Sequence, residues 1–209
     1  MLMQRSNDWV ERYDLSSLRS VATAGEICDL STWRWLHEVV GKGRIEILDS
    51  WWQTETGACM LNPRPSLIGA AIPPAKSARP FYGIAPEIRD GTTGEEITGV
   101  GSGIFTIKEP WPAIARTIYN DHDRYIKTYF TDFENRYTTG DGANRDENGF
   151  YTVTGRTDDV INISGHRLST SEIENILAKH DKVSEVAVVG ATHSLKGKYF
   201  DQMKNLLKI

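Results

Sequence analysis

The sequence predicts an α/β fold with a mainly parallel sheet, followed by a smaller β-rich region and a short α+β segment. Two observations carry this. The first fifty residues run helix, strand, helix, strand by apolar periodicity, and from Pro63 the texture changes to prolines, glycines and short apolar runs. Residues 2–13 place Leu2, Trp9, Val10 and Tyr13 at helix-like spacing, and 14–17 (DLSS) read as a turn into a strand over 18–24. A helix over 29–40 presents Leu30, Trp33, Leu36 and Val40 and is stopped by Gly41 and Gly43. Ile45 to Leu48 is a compact buried strand. Between Pro63 and Pro112, runs such as 103–107 (GIFTI) predict a small antiparallel or barrel-like region. Further on, 151–154 and 160–163 read as strands, Ser169 and Glu172 form a capping box for a helix to about His180, and 185–189 is a last strand. No internal repeat or low-complexity tract is present in the sequence.

Composition narrows the function classes. The chain has 209 residues, a net charge of -4 and 39% hydrophobic residues, enough for a sizeable core. It holds no block of basic residues, so no nucleic acid or anionic membrane partner is expected, and an anionic ligand must be held by local groups. Its two cysteines, Cys28 and Cys59, have no CxxC spacing and no clustered histidines, which argues against a disulfide framework or zinc site and favours a reducing, cytoplasmic setting. No apolar run approaches the roughly 18 residues of a membrane span, and no basic-then-apolar leader pattern opens the chain.

Three constellations could carry chemistry. Residues 49–57 (DSWWQTETG) follow directly on the strand 45–48, and the carboxyl end of a strand in an open α/β sheet is where ligands bind. An indole can stack on a purine, a threonine hydroxyl can meet a phosphate, and a carboxylate can hold Mg2+. A core-facing double tryptophan before a polar turn fits the same residues. Residues 139–142 (TGDG), ahead of a hairpin-like stretch over 145–151, offer a carboxylate that could accept both ribose hydroxyls, although Asp-Gly is also a common turn. Residues 155–167 (GRTDDVINISGHR) supply arginines and glycines around a charged break suited to a hinge, or else a solvated turn and hairpin.

Other patterns carry less. Gly99, Gly101 and Gly103 miss the GxGxxG spacing and read as a tight turn, Asp121-His122-Asp123 reads as a polar surface loop, and no GxxxxGK[ST] loop occurs. The sequon at 162–164 has no meaning for a cytosolic chain.

Taken together, Gly25-Glu26, WWQTETG at 51–57, TGD at 139–141 and GRTDDVINISGHR at 155–167, with Glu172-Ile173-Glu174 behind it, resemble the adenylate-forming enzymes. The double tryptophan, residues 77–83 (SARPFYG), Trp111-Pro112, 115–117 (ART) and Asp121-His122 resemble the acyl-CoA synthetases of the acetate-activating group in particular. The resemblance runs from Met1 to about Lys198. It implies that 1–157 is the back part of a large AMP-binding N-terminal domain, an α/β layer plus a small β-rich region. Residues 158–209 would be the hinge and truncated start of a small α+β C-terminal domain.

The resemblance also implies site residues. Gly25, Glu26 and Ile27 would border the adenine, Trp51 would stack on it, and Asp49, Ser50 and Gln53 would complete that wall. Thr54 would bind the α-phosphate and Glu55 Mg2+. Trp52, with the small Ala24 beside it, would limit the acyl pocket to a very short acid. Asp141 and Arg156 would hold the ribose, Arg167 would approach the AMP phosphate, Asp158 would be the hinge, and Ser164 and Gly165 would line the coenzyme A tunnel. Carbonyls around Ala178, His180 and Val183 would hold a structural cation at a helix end. The implied substrates are ATP, coenzyme A and acetate, with Thr54, Glu55, Arg156 and Arg167 serving the phosphoryl chemistry.

Departures from the family pattern temper this. A Ser/Thr/Gly-rich phosphate loop with its lysine and a second lysine near the C-terminus are missing, and both ends read as cut, with a Lys-rich tail over 201–209. Each lost contact to the transition state costs about 2.7–4 kcal/mol, so negligible activity is expected of the chain alone. Ile27 stands where the family usually has proline and Ser50 where it has threonine, while Ala24 could admit propionate. A complementary chain supplying the missing parts, a nucleotide or coenzyme A binding module without turnover, and a non-functional remnant are the three readings that follow. A parallel sheet without its neighbours would expose edges and favour association.

Overall fold

The computed structural model describes residues 3, 6–25, 28–63, 78–157, 161–163, 166–168, 170–177, 180, 183, 186, 188, 190–193 and 197–200. The α/β layer opens with β1 (Ser20–Thr23) and β2 (Glu46–Asp49), which pair in parallel from Ser20 opposite Glu46 to Thr23 opposite Asp49. Between them runs α2 (Leu30–Trp35), continued by a wider turn of helix over Leu36–Val40. Asp29 starts it, its carboxylate accepting from the Ser31 and Thr32 amides at 2.8 and 3.0 Å, so two of the orphan donors of the first turn are satisfied. The Gly41 amide then reaches back five residues to the Leu36 carbonyl at 2.9 Å and ends the helix. The expected helix–strand alternation is present here, with β1 two residues shorter at its start than the apolar pattern suggests.

Of the helix expected over 2–13, the described residues 6–13 hold only α1 (Asp8–Glu11), a single turn. The reason is packing. Trp9 and Tyr13 are 53% and 66% exposed, and an isolated helix without a buried face does not propagate.

From Leu61 the chain turns antiparallel, as its texture predicts. β3 (Leu61–Asn62) pairs with β4 (Arg79–Pro80), and β5 (Pro86–Arg89), β6 (Gly101–Ile107), β7 (Tyr137–Arg145) and β8 (Tyr151–Arg156) form a four-stranded sheet in sequential order. The core lies on one face of this sheet, where Ile88, Phe105, Ile107, Tyr137, Tyr151 and Val153 pack with Met60 and Leu61. Phe105 is fully buried and meets Trp51 edge-on at 5.0 Å. This contact joins the sheet to the segment that follows β2.

Three local expectations are corrected. Gly101 and Gly103 lie in the body of β6 rather than in a tight turn, and only Gly99, at φ +78°, turns the chain. Asp121-His122-Asp123 is not a loop. Asp121 caps α3 (His122–Tyr129), accepting from the Arg124 amide at 3.2 Å, and the helix buries Tyr125 between β6 and β7 in sequence. The third correction concerns 139–142, which is not a turn before a hairpin but the middle of β7, with a bulge between Gly142 and Ala143. The hairpin itself is β7 to β8, through Asp146–Phe150.

In the C-terminal part β9 (Ile161–Ile163) pairs antiparallel with β10 (His166–Leu168), α4 (Thr170–Leu177) follows, and β11 (Gly190–His193) pairs with β12 (Gly197–Phe200). Of the strand expected over 185–189 only residues 186 and 188 are described, and neither lies in a strand. Val188 spends its amide on the Glu174 carboxylate at 2.7 Å, so that N–H is withdrawn from any ladder.

A buried charge cluster fixes the sheet. Glu87 is 1% exposed and accepts from Arg89 at 2.5 Å, Arg136 at 2.7 Å and Thr106 at 3.1 Å, tying β5, β6 and the start of β7. Burial opposes ionisation of Glu87, but the bonds from Arg89, Arg136 and Thr106 outweigh it and hold the carboxyl below its ordinary range. A depressed folded pKa means stability that is present above the unfolded value, near 4.5, and is lost as pH falls through the folded value. Glu87→Gln is therefore expected to cost about 3–5 kcal/mol at neutral pH. It should also flatten the acid limb of stability, which urea denaturation from pH 7 to pH 3 measures.

Candidate functional site

The site is built where β2 ends. Asp49 closes the strand, buried, accepting from Thr23 Oγ1 at 3.0 Å across the parallel pair and from the Cys28 amide at 3.4 Å. Burial raises its carboxyl pKa, with the Thr23 and Cys28 bonds pulling the other way. Ser50 donates to the Leu48 carbonyl at 3.1 Å and accepts from Asn62 Nδ2 at 2.8 Å, so it faces inward. Ala24 and Gly25 follow β1 and are exposed, Gly25 at φ +96°. The two tryptophans part: Trp51 is half-buried against Phe105, with its N–H and carbonyl both bonded to Leu61, whereas Trp52 is 48% exposed. An extended backbone sends consecutive side chains to opposite faces. One indole is therefore core-facing as the plainer expectation holds, and the other is not.

Thr54–Thr56 then form one turn of 3-10 helix, and the structure clamps it from behind. Gln53 starts the turn, its backbone N–H donating to the Thr56 hydroxyl oxygen at 3.1 Å. Trp111 Nε1 donates to the Thr56 carbonyl at 2.7 Å, and the Ala115 amide donates to the Glu55 carbonyl at 2.9 Å. Gly57 leaves the turn at φ +61°, where an added Cβ would stand 2.3 Å from the Ala113 carbonyl oxygen, so only glycine fits. Thr54 is exposed at the apex and Glu55 is half-buried beside it.

The turn is joined to β7 and β8 by Gln53. Its Nε2 donates to the Thr139 carbonyl at 2.7 Å and to Asp141 Oδ2 at 3.3 Å, while its Oε1 accepts from Tyr137 OH at 3.0 Å. Asp141 is 6% exposed, and Arg156 lies across the strand from it, with Nη1 3.7 Å from Asp141 Oδ1 and 3.2 Å from the Thr139 carbonyl. A Cβ on Gly140 would stand 2.7 Å from that guanidinium, so the glycine lets Arg156 lie flat on β7. The motifs at 51–57, 139–141 and 155–156 thus meet in one hydrogen-bonded unit.

Sequence reasoning missed the aromatic wall behind it. Tyr129, the last residue of α3, donates its hydroxyl to Glu55 Oε1 at 2.7 Å, and its ring stacks on Tyr137 at 5.2 Å with 8° between planes. Burial, then the Glu55 carboxylate, push the Tyr129 hydroxyl up to about 12, and burial pushes Tyr137 higher still. Both remain donors at neutral pH. The signal available was the spacing of Tyr125 and Tyr129 after a capping aspartate, which marks one face of a helix.

The other expected site residues belong to the C-terminal part or fall outside the described residues. Arg167 sits in β10 opposite Asn162. After α4 the Val183 amide donates to the His180 carbonyl at 2.8 Å, which uses one of that oxygen's two lone pairs. Glu26, Ile27, Asp158, Ser164, Gly165 and Ala178 fall outside the described residues. Among the described residues no group of three or more His, Cys, Asp or Glu side chains could hold a metal, and no helix is long and apolar enough to cross a membrane. A lone carboxylate such as Glu55 nevertheless suits Mg2+, which keeps waters and takes most ligands from substrate phosphates.

The pairing of a parallel α/β layer with a motif-bearing turn, an acidic strand centre and a strand-end arginine is that of an adenylate-forming enzyme. The AMP-binding enzyme family model matches residues 1–119 and the AMP-binding enzyme C-terminal domain model matches 172–200, and the chain belongs to this family. Its relatives include acetyl-coenzyme A synthetase 2-like, mitochondrial, of Homo sapiens, 50% identical over 94% of this chain and 29% of that protein. An acetyl-coenzyme A synthetase of Mesorhizobium japonicum is 46% identical over 99% of this chain and 31% of its own length. The chain therefore spans about 30% of the curated relatives it matches. The crystal structure of the anthranilate CoA ligase AuaEII in complex with anthranoyl-AMP aligns with TM-score 0.74 at 26% identity, covering 91% of this chain and 34% of that one.

Two outcomes follow from this geometry. Gln53→Glu would set a second carboxylate 3.3 Å from Asp141 and against the Thr139 carbonyl. It should destabilise the fold by about 2–3 kcal/mol at pH 7.5, read by urea midpoints. Burial, followed by the Asp49 charge, pushes the Cys28 thiol up to about 11 from an ordinary 9.0. Alkylation of Cys28 by iodoacetamide at pH 8, followed by peptide mass spectrometry, should run about a hundredfold slower than for a free thiol.

Proposed function

We propose that this chain carries part of the nucleotide site of an AMP-forming acetate–CoA ligase, with Asp141 and Arg156 on the ribose, Trp51 on the adenine and Thr54 and Glu55 at the phosphates. The observation that carries the reading is the Gln53 amide held between Thr139 and Asp141, with Arg156 alongside, because it gathers three separated motifs at one place. A buried carboxylate at the centre of a strand is a hydrogen-bond acceptor of the kind that ribose hydroxyls require. Gly25, Glu26, Ile27, Asp49, Ser50 and Gln53 complete the adenine side. The exposed Trp52 and the small Ala24 bound an acyl pocket sized for acetate, with propionate as the alternative.

In this reading carboxylate oxygen attacks the α-phosphorus, a P–O bond forms, the bond to pyrophosphate breaks, and acetyl-adenylate remains. The coenzyme A thiol then attacks the acyl carbon and AMP leaves. Thr54, exposed at the apex of the clamped turn, donates to the α-phosphate, and Arg156 and Arg167 stabilise charge on it. Mg2+ would neutralise phosphate charge, with Glu55 as its protein ligand. Residues 1–157 act as the AMP-binding domain and 158–209 as the C-terminal part, turning at Asp158, with Ser164 and Gly165 toward coenzyme A and carbonyls at Ala178, His180 and Val183 toward a structural cation. On this reading the 209 residues by themselves bind nucleotide, and turnover is not assigned to them.

Calorimetric titration with ATP tests this. The chain should bind ATP without releasing pyrophosphate, and Asp141→Ala should weaken binding about tenfold to a hundredfold, the loss of hydrogen bonds to a charged group. No ATP binding, or affinity unchanged in Asp141→Ala, overturns it.

A further inference from the structure

We infer that Tyr129 is a positioning residue for Glu55, its hydroxyl holding one carboxylate oxygen so that the other is presented to a divalent cation beside the nucleotide phosphates. The inference rests on the proposed reading of Glu55 as the protein ligand of that cation. Tyr129 OH donates to Oε1 at 2.7 Å, and Oε2 has no hydrogen-bond partner among the described residues. A carboxylate pinned through one oxygen keeps its other lone pairs aimed in one direction, whereas a free side chain at the edge of a turn samples several rotamers.

The geometry around Tyr129 fits this task. Its ring is stacked on Tyr137, which is 2% exposed and is itself held by Gln53 and by the edge of Trp111 at 5.2 Å. One helical turn earlier, Tyr125 donates its hydroxyl to the Ala115 carbonyl, and the Ala115 amide donates to the Glu55 carbonyl. Two tyrosines on one face of α3 therefore grip the same residue: Tyr125 fixes its backbone through Ala115, and Tyr129 fixes its side chain. Phenylalanine at 129 would keep the stack and the volume and lose only the hydroxyl.

The test uses the 209-residue chain, with Mn2+ as the probe ion. ATP affinity is measured by calorimetry in EDTA and in Mn2+, and bound Mn2+ by electron paramagnetic resonance. Tyr129→Phe should reduce the Mn2+-dependent gain in ATP affinity about tenfold while leaving metal-free affinity within about twofold. In a Glu55→Gln background the same change should add nothing. An undiminished gain in Tyr129→Phe, or an equal loss with and without metal, overturns the inference, and so does failure of Tyr129→Phe to fold by circular dichroism, which would make the hydroxyl structural. If Glu55→Gln abolishes the gain and Tyr129→Phe does not, the inference alone fails. If Glu55→Gln leaves the gain intact, or the wild-type chain binds no ATP, the reading of Glu55 fails and the inference with it.

Discussion

The Gln53 carboxamide, placed between the turn it caps and the middle of β7, is the contact on which the arrangement of the site depends. Its three hydrogen bonds, to Thr139, Asp141 and Tyr137, use both ends of the amide in one orientation. A neutral amide with a donor end and an acceptor end can donate to a carbonyl and a carboxylate while accepting from a phenol. The turn over 54–56 belongs by sequence to the parallel layer and Asp141 to the antiparallel sheet. Gln53 makes them neighbours, and Trp51 against Phe105 supplies the apolar half of the same junction.

That junction is rigid because the polar groups behind it are satisfied by other elements. Trp111 caps the Thr56 carbonyl, Ala115 meets Glu55, and the tyrosines of α3 back the turn. Further along the sheet, the Glu87 cluster fixes the root of β7, so Tyr137 and Asp141 project from a strand that cannot slide. On the proposed reading, a turn on such a base presents Thr54 and Glu55 to a ligand without having to order them on binding, which is the usual advantage of preorganisation.

Much of this was legible in the chain itself. The helix over 29–40, the strand after it and the antiparallel texture beyond Pro63 follow from apolar period and from Gly and Pro punctuation, which are local properties. The motif order was also legible, because a resemblance depends on residue identity and spacing alone. The errors share a cause. The helical period over 2–13 yields one described turn, Asp8–Glu11, that buries no residue, α3 has few buried residues to announce it, and 139–142 looks like a turn although its neighbours recruit it into a strand.

By itself the sequence determined the family, the order of the α/β and β-rich parts, and which residue types stand at the motif positions, since these reside in covalent order. The tertiary structure alone decided that Trp51 turns inward while Trp52 stays half-exposed, that Gln53 joins two sheets, and that Tyr129 lies on Glu55. Positions 53 and 141, or 55 and 129, are separated by long stretches of chain. Their contacts arise only once α3 and β7 have packed behind the turn, and no local pattern encodes a distance of that kind.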